Sequence, residues 1–357
     1  MPYRGGVRVR LKDVADRAGV SEATVSRVVN DKPGVNDGTR RAVLAVLADM
    51  GYGRTGLGRM TKAGLVGLFV PELDNPIFPA FAQTIETRLA LHGYTAVLCT
   101  ATREGVQESE YVEMLLERNV AGIIVVSGMN ADTAADHSLY RDLLARGMPV
   151  VFVNGVVEGL EAPYVSCDDR LASELAVRHL VSLGHERIGA IVGPRRYWVA
   201  QRKVEGFERA VHKAFGARAG ALVVESDYTV EGGHVVADGL LDGGITGIVA
   251  ASDLLALGAV RAVHDRGGTV PGDVSVVGYD DTVLMAFTDP PLTTVRQPVR
   301  PMSDAAVRAL LDRIAGHGAC HEYVFRPELV VRSSTGPVRA RSANGTTRSR
   351  SRSLARR

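Results

Sequence analysis

Seven side chains in the ten positions from Ser21 to Asn30 have the chemistry needed to read nucleic-acid edges: Ser21, Glu22, Ala23, Thr24, Ser26, Arg27 and Asn30. A guanidinium offers a two-pronged donor that matches O6 and N7 of guanine, which suits Arg27, and the methyl of Ala23 fits against that of thymine. Ser21, Thr24, Ser26 and Asn30 can hydrogen-bond phosphates or neighbouring bases. Glu22 is an acid that must accept from cytosine or stand clear of phosphate, so no base is assigned to it.

A second chemistry is spread along the rest of the chain. Short apolar runs end in polar loops: 70–78 (VPELDNPIF), 151–154 (VFVN) and 276–281 (VVGYDD). In open α/β sheets, ligands bind beyond the carboxyl ends of the strands, so these loops should face a binding cleft. Carboxylates accept from vicinal hydroxyls and Arg donates a fork, a mixture that suits a sugar or an anionic small molecule.

Each set needs elements to hold it. Leu11, Val14, Ala15 and Ala18 form one side of a short helix at 11–18, Gly19 breaks it, and Ser21 is placed to cap a second helix at 22–29. Val25, Val28 and Val29 can pack back on the first helix, and a third at 39–50 brings Val43, Leu44 and Leu47 inward. Two short helices joined at a glycine turn predict a helix-turn-helix that lays its second helix in the major groove of duplex DNA. A three-helix protein-interaction module has the same pattern.

Charge favours DNA. Residues 1–59 hold 11 Lys/Arg against 6 Asp/Glu, residues 338–357 hold 7 Arg and no acid, and with +2 overall the middle of the chain carries −10. A basic head on an acidic body suggests that only the ends meet a polyanion.

Beyond residue 65, strand-like runs at 65–70, 95–99, 122–126, 150–153, 188–192, 222–224, 247–250 and 274–278 alternate with helical patterns at 79–92, 107–118, 170–183, 200–215 and 254–266. The runs are rich in Val and Ile, as parallel strands buried on both faces require, and the repeat predicts doubly wound α/β structure. Leu171, Leu175, Leu180 and Leu183 mark an apolar stripe on one helix. About 270 residues of such units exceed one sheet, so two lobes around a cleft are expected.

The tail from Val338 is rich in Ser and Arg and reads as disordered. Three cysteines, with no close pair, fit a reducing compartment. No secretory signal or membrane-length apolar stretch is evident, so a cytoplasmic protein is expected. Dinucleotide, Walker, zinc-protease and serine-hydrolase motifs are absent, and the polar residues of the cleft come singly on separate loops; this argues against an enzyme and for no cofactor. A periplasmic binding protein would share the body but lacks such a head.

The run LKDVADRAGVSEATVSRVVN at 11–30, followed by Thr39-Arg40 and Gly51-Tyr52, closely resembles the head of the lactose-repressor (LacI/GalR) family, and the similarity extends over almost all of residues 10–336. The resemblance implies a homodimeric repressor that binds a palindromic DNA operator and answers to a small-molecule effector. It adds Thr39 to the DNA-binding residues. It also makes Met60 the apolar wedge of a hinge that enters the minor groove. The hinge at 51–64 contains Gly53, Gly56 and Gly58, each unfavourable in a helix by up to about 1 kcal/mol, so a plain flexible linker is the alternative. In the cleft, the resemblance assigns hydrogen bonds to Asn154, Arg202, Asp253 and Asp280, apolar or stacking contact to Phe78 and Tyr228, and a lobe-crossover position to Gln297. On the bland side, Arg202 could be a solvated helix residue, Asp280 a turn former, and Phe78 core.

The expected organisation is a head at 1–50, a hinge at 51–64, a body at 65–337 and a tail at 338–357. Within the body, lobe 1 takes 65–166 and 298–322, and lobe 2 takes 167–297 and 323–337. The run 290–298 reads as a strand returning to lobe 1, and His185 as part of a structural turn.

Overall fold

The computed structural model describes residues 11–29, 32, 34–49, 64–100, 105–216, 220–317 and 321–338. Asn30, Met60, nearly all of the hinge and the tail beyond Val338 lie outside the described residues.

The head consists of α1 (Leu11–Ala18), α2 (Glu22–Val29) and α3 (Asp37–Asp49). Gly19 takes φ +65, a left-handed geometry that glycine adopts without steric penalty, and the amide of Val20 donates back to Ala15 O at 3.0 Å. Ser21 starts the next helix, its Oγ accepting from the amide of Thr24 at 3.1 Å. Val14, Ala15, Val25, Val28, Val43 and Leu47 meet in a small core of their own.

The body has two six-stranded sheets. The first contains β1 (Gly64–Val70), β2 (Tyr94–Thr100), β3 (Gly122–Val126), β4 (Val150–Val153), β5 (Tyr164–Cys167) and β11 (Glu322–Phe325), in the order β11-β5-β4-β3-β1-β2. Helices α4 (Ile77–Leu91), α5 (Glu108–Glu117), α6 (Ser138–Ala145) and α11 (Val299–Ile314) accompany it. The second contains β6 (Ile188–Val192), β7 (Leu222–Glu225), β8 (Gly247–Ala250), β9 (Ser275–Asp280), β10 (Thr293–Arg296) and β12 (Glu328–Val330), in the order β12-β10-β9-β8-β6-β7. Its helices are α7 (Asp169–Ser182), α8 (Trp198–Phe215), α9 (Val230–Asp242) and α10 (Asp253–Asp265). The central strands are buried along their length, as their Val- and Ile-rich sequences require.

Several expectations need correction. Strand Glu322–Phe325 pairs in parallel with Tyr164–Cys167, so lobe 1 includes Cys167 and runs on to Phe325 rather than stopping at 322. Strand Thr293–Arg296 pairs with β9 in the second sheet, and the return to lobe 1 comes after it, through Gln297 and Pro298. One strand pairing, β10 with β12, is antiparallel because the chain passes from the end of β11 directly into the second sheet at the cleft side, with no helix to carry it to the far end first. Val338 still belongs to the body, its amide donating to Leu183 O at 3.0 Å. On α7 the fully buried face is Ala172, Ser173, Ala176, Val177 and Leu180, while Leu171, Leu175 and Leu183 are only half-buried. Small residues let this helix lie close to its sheet. Among the described residues no helix is long and apolar enough to cross a membrane.

Candidate functional site: an interlobe cavity and a DNA-facing helix

The carboxyl ends of β1, β3, β4, β6, β8 and β9 converge on a cavity of about 680 Å³ between the lobes. Because each strand leads into a helix, helix N-termini of lobe 2 converge there too. Asp168 caps α7 by accepting from Leu171 N at 3.0 Å, Thr229 caps α9 from Gly232 N at 2.9 Å, and Ser252 caps α10 from Leu255 N at 3.2 Å. Thr229, Ser252 and Asp169 line the cavity.

Five of the seven expected effector residues line it: Phe78, Asn154, Tyr228, Asp280 and Gln297. Three of them form a chain at the crossover. Asn154 Nδ2 donates to Gln297 Oε1 at 3.3 Å, and Gln297 Nε2 donates to Asp280 Oδ1 at 2.6 Å. Asn154 and Asp280 both have positive φ, +57 and +115, and so turn sharply out of their strands. Burial and the nearby Asp253 carboxylate push the Asp280 carboxyl well above its ordinary range. Tyr228 lies against Gly193, where a Cβ would come within 2.1 Å of the ring; only glycine leaves room for it.

Arg202 and Asp253 are not in the cavity wall. The Arg202 guanidinium sits over the Trp198 ring, 4.2 Å from its centroid, with Glu322 at 4.0 Å. On α8 it is Val199 and Lys203, four residues apart on one face, that line the cavity; Arg202 lies about 100° round the helix from Lys203. Asp253 is a buried anchor. Its Oδ2 accepts from Thr282 N at 2.8 Å and Thr282 Oγ1 at 3.0 Å, and its Oδ1 accepts from Thr294 Oγ1 at 2.7 Å.

Sequence reasoning missed a buried cluster in lobe 2. Lys203 Nζ donates to Ala251 O at 3.0 Å, lies 3.7 Å from Asp169 Oδ1 and sits over the Tyr279 ring at 3.4 Å from its centroid. Tyr279 Oη donates to Asp169 Oδ1 at 2.9 Å. Burial raises the Asp169 carboxyl, while the Lys203 charge and the Tyr279 bond pull it back. Neither Lys203 nor Asp169 carried a local signal, whereas Tyr279 falls in the 276–281 run already expected at the cleft. Glu72 and Asn75, also cavity-lining, fall in the 70–78 loop already expected to face the cleft.

Among the described residues, three buried polar atoms of this wall lack a hydrogen-bond partner: Asn154 Oδ1, Asp169 Oδ2 and the Tyr228 hydroxyl. Unpaired buried polar groups are unfavourable by about 1–3 kcal/mol each, and a hydrogen-bonding ligand would relieve that.

On the head, α2 turns Val25 and Val28 into the core and leaves Ser21, Glu22, Ala23 and Arg27 exposed, with Thr24 and Ser26 half-buried. Ser21 Oγ also meets Thr24 Oγ1 at 2.9 Å. Thr39 lies in the first turn of α3, its amide donating to Asn36 Oδ1 at 2.8 Å.

Comparison with known proteins agrees with this arrangement. Residues 10–54 match the model for bacterial regulatory proteins of the lacI family, and residues 177–335 match that for a periplasmic binding protein-like domain. The chain is 56% identical to the HTH-type transcriptional regulator reg1 of Streptomyces lividans, over 91% of this chain and 96% of that one. Identity and coverage are the same for the regulator MalR of Streptomyces coelicolor. The chain belongs to the LacI family of bacterial transcriptional regulators.

Two solved structures of the family are close matches. The CelR–cellobiose complex aligns at TM-score 0.69 and 32% identity, covering 92% of this chain and all of that one. The Lac repressor dimer bound to operator and the anti-inducer ONPF aligns at TM-score 0.68 and 29% identity, covering 92% and 99%.

Proposed function

We propose that this LacI-family regulator acts in the cytoplasm as a homodimeric repressor on a palindromic DNA operator, and that a sugar or sugar derivative in the interlobe cavity shifts its affinity for that operator. The observation that carries the DNA-binding part is the two-sidedness of α2: valines hold it to the core while Ser21, Glu22, Ala23 and Arg27 point outward. The three unpartnered polar atoms of the cavity wall support an effector there. A likeness to an operator-bound dimer and to a cellobiose complex supports the same assignment. Cys99 and Cys167 are free and buried, their thiols pushed up to about 11 and about 12 by burial, so neither is poised to act as a nucleophile.

Two heads held by paired bodies would each take one half-site, and a ligand that favours one lobe arrangement would change how well both heads fit at once. Arg27→Ala tests the reading. Against a duplex selected from a random pool, the variant should lose about 1–3 kcal/mol of affinity, and it should keep its binding to unrelated duplex. Equal losses on both duplexes would remove Arg27 from base reading.

A further inference from the structure

Taking the interlobe cavity as the effector site, we propose that its ligand is an uncharged oligosaccharide of two or more rings, and that phosphorylated or carboxylated sugars are refused.

Charge is the first ground. Glu72, Asp169, Asp227 and Asp280 line the cavity, and Lys203 is the one Lys or Arg among its described lining residues. The Lys203 ammonium is already engaged by Asp169, Ala251 O and the face of Tyr279. With Arg202 turned away onto Trp198, no further side-chain cation among the described lining residues is left to pair with an anion. Burial raises the carboxyls of Asp169 and Asp280, but protonated or not, neither supplies a positive charge. A phosphate would meet four carboxyl groups and no free side-chain cation, with only helix ends already capped by Asp168, Thr229 and Ser252 to offset them, an arrangement that discriminates by repulsion.

Hydrogen-bond polarity is the second. Asn154 and Asp169 are 6% and 3% exposed, and their unpartnered atoms, Oδ1 and Oδ2, are carbonyl and carboxylate oxygens that need donors. Sugar hydroxyls donate and accept, so they can satisfy both oxygens and the Tyr228 hydroxyl together. Where a carboxylate or a phosphate dianion takes the place of a hydroxyl, that position has no proton to offer these oxygens.

Size and shape are the third. About 680 Å³ is room for more than twenty water molecules at ~30 Å³ each, well beyond a single pyranose ring. Phe78 in lobe 1 and Tyr197 and Tyr228 in lobe 2 offer apolar ring surface to the CH faces of successive sugar units.

The test uses the full-length protein and matched ligands: glucose and glucose 6-phosphate, trehalose and trehalose 6-phosphate, maltose, maltotriose, cellobiose and cellobionic acid. Thermal shift followed by calorimetric titration should find an uncharged ligand of two or more rings that stabilises the chain, with its charged counterpart at least a hundredfold weaker. Asp227→Lys, at an exposed position on the cavity wall, should narrow that gap at least tenfold. Three results each overturn the proposal: a charged sugar or a single ring binding as tightly as any neutral oligosaccharide, no member of the panel binding, or an unchanged ratio in Asp227→Lys. Operator binding measured on the same samples separates the two readings. A chain that discriminates its operator yet binds no neutral oligosaccharide overturns the ligand class alone; one that fails to discriminate overturns the regulator reading.

Discussion

The backbone amide of Thr133 in lobe 1 donates to the carbonyl of Arg196 in lobe 2 at 2.8 Å, and the Thr133 hydroxyl donates to the same oxygen at 2.8 Å. Around this pair, Asp132 and Tyr197 form an isolated antiparallel bridge, Arg196 Nε lies 3.4 Å from Asp132 Oδ2, and Gln201 Nε2 donates to Thr133 Oγ1 at 3.2 Å. The lobe 1 side is stiff. Met129 N donates to the buried Glu108 at 3.2 Å, and Asn130 N donates to the Tyr140 hydroxyl at 3.2 Å. The chain crosses between lobes next to β5, β10, β11 and β12, at one edge of each sheet, whereas this strap springs from β3 and β6. Strands are about 4.8 Å apart, so the strap acts roughly 10–19 Å from the interlobe crossings, where small bonds have leverage on opening.

Removing it should open the cleft. Thr133→Val with Arg196→Ala deletes the hydroxyl bond and the ion pair, about 1–2 kcal/mol together, which is comparable to the gap between open and closed states of many two-lobed proteins. The chain has one tryptophan, Trp198, next to the strap. Its fluorescence should become more accessible to acrylamide in the ligand-free variant. Unchanged quenching would mean that the strap does not hold the lobes together.

A second expectation concerns which basic residue of α8 serves the cavity. Lys203→Met should leave the Asp169 carboxyl without its ion pair and weaken effector binding by tenfold or more. Arg202→Ala should change effector affinity less than threefold, because its contacts are with Trp198 and Glu322. The reverse order in a calorimetric titration would show that the helix is rotated in solution relative to this structure.

That one-residue distinction marks the limit of what the sequence reveals. Helices α1 and α2 were legible to the residue because their signals are local: Gly19 stops one and Ser21 caps the next. All eight apolar runs became strands: six are inner strands, buried as contiguous Val and Ile require, while β2 and β7 are edge strands and only partly buried. Helix α9 escaped notice because Gly232, Gly233 and Gly239 look like breakers. Of these, Gly233 serves the contact of α9 with α10, which touch backbone to backbone: a Cβ there would sit 2.5 Å from Leu255 O, and one at Gly258 of α10 2.2 Å from Val230 O, whereas Gly239 faces open space. Strands β11 and β12 carry half-exposed or exposed edge residues and no buried pattern. The Asp169–Lys203–Tyr279 cluster joins three distant segments, so no local pattern could announce it.

A third expectation follows from Asp253. Burial raises its carboxyl to about 6, against the opposing pull of its bonds from Thr294 and Thr282. A carboxyl whose folded pKa lies above its unfolded value of about 3.9 binds its proton more tightly in the native state. The resulting stability is present at low pH and is lost as pH rises through about 6. Relative to Asp253→Asn, which has no proton to take up, the wild type should therefore gain about 1 kcal/mol between pH 7 and pH 5 in urea unfolding. A difference that stays flat or moves the other way would mean that the carboxylate is already stabilised as the anion.

The last expectation concerns the pairing of bodies. The short 3₁₀ turn Val283–Ala286 buries Met285 at 2% exposure, yet Val283, Leu284 and, just after it, Phe287 are 77%, 58% and 81% exposed. Large apolar side chains grouped this way on one turn mark a contact surface, and a two-fold interface would place each against its own copy or close neighbours. Phe287→Asp adds a charge to each side of such a contact without touching the core, so folding should persist while the dimer dissociates. Sedimentation at micromolar concentration should then show a monomer. Affinity for a full operator should fall at least a hundredfold while affinity for one half-site is retained, because the second head no longer binds as a tethered neighbour. A variant that stays dimeric with full operator affinity would place the interface on another face of the body.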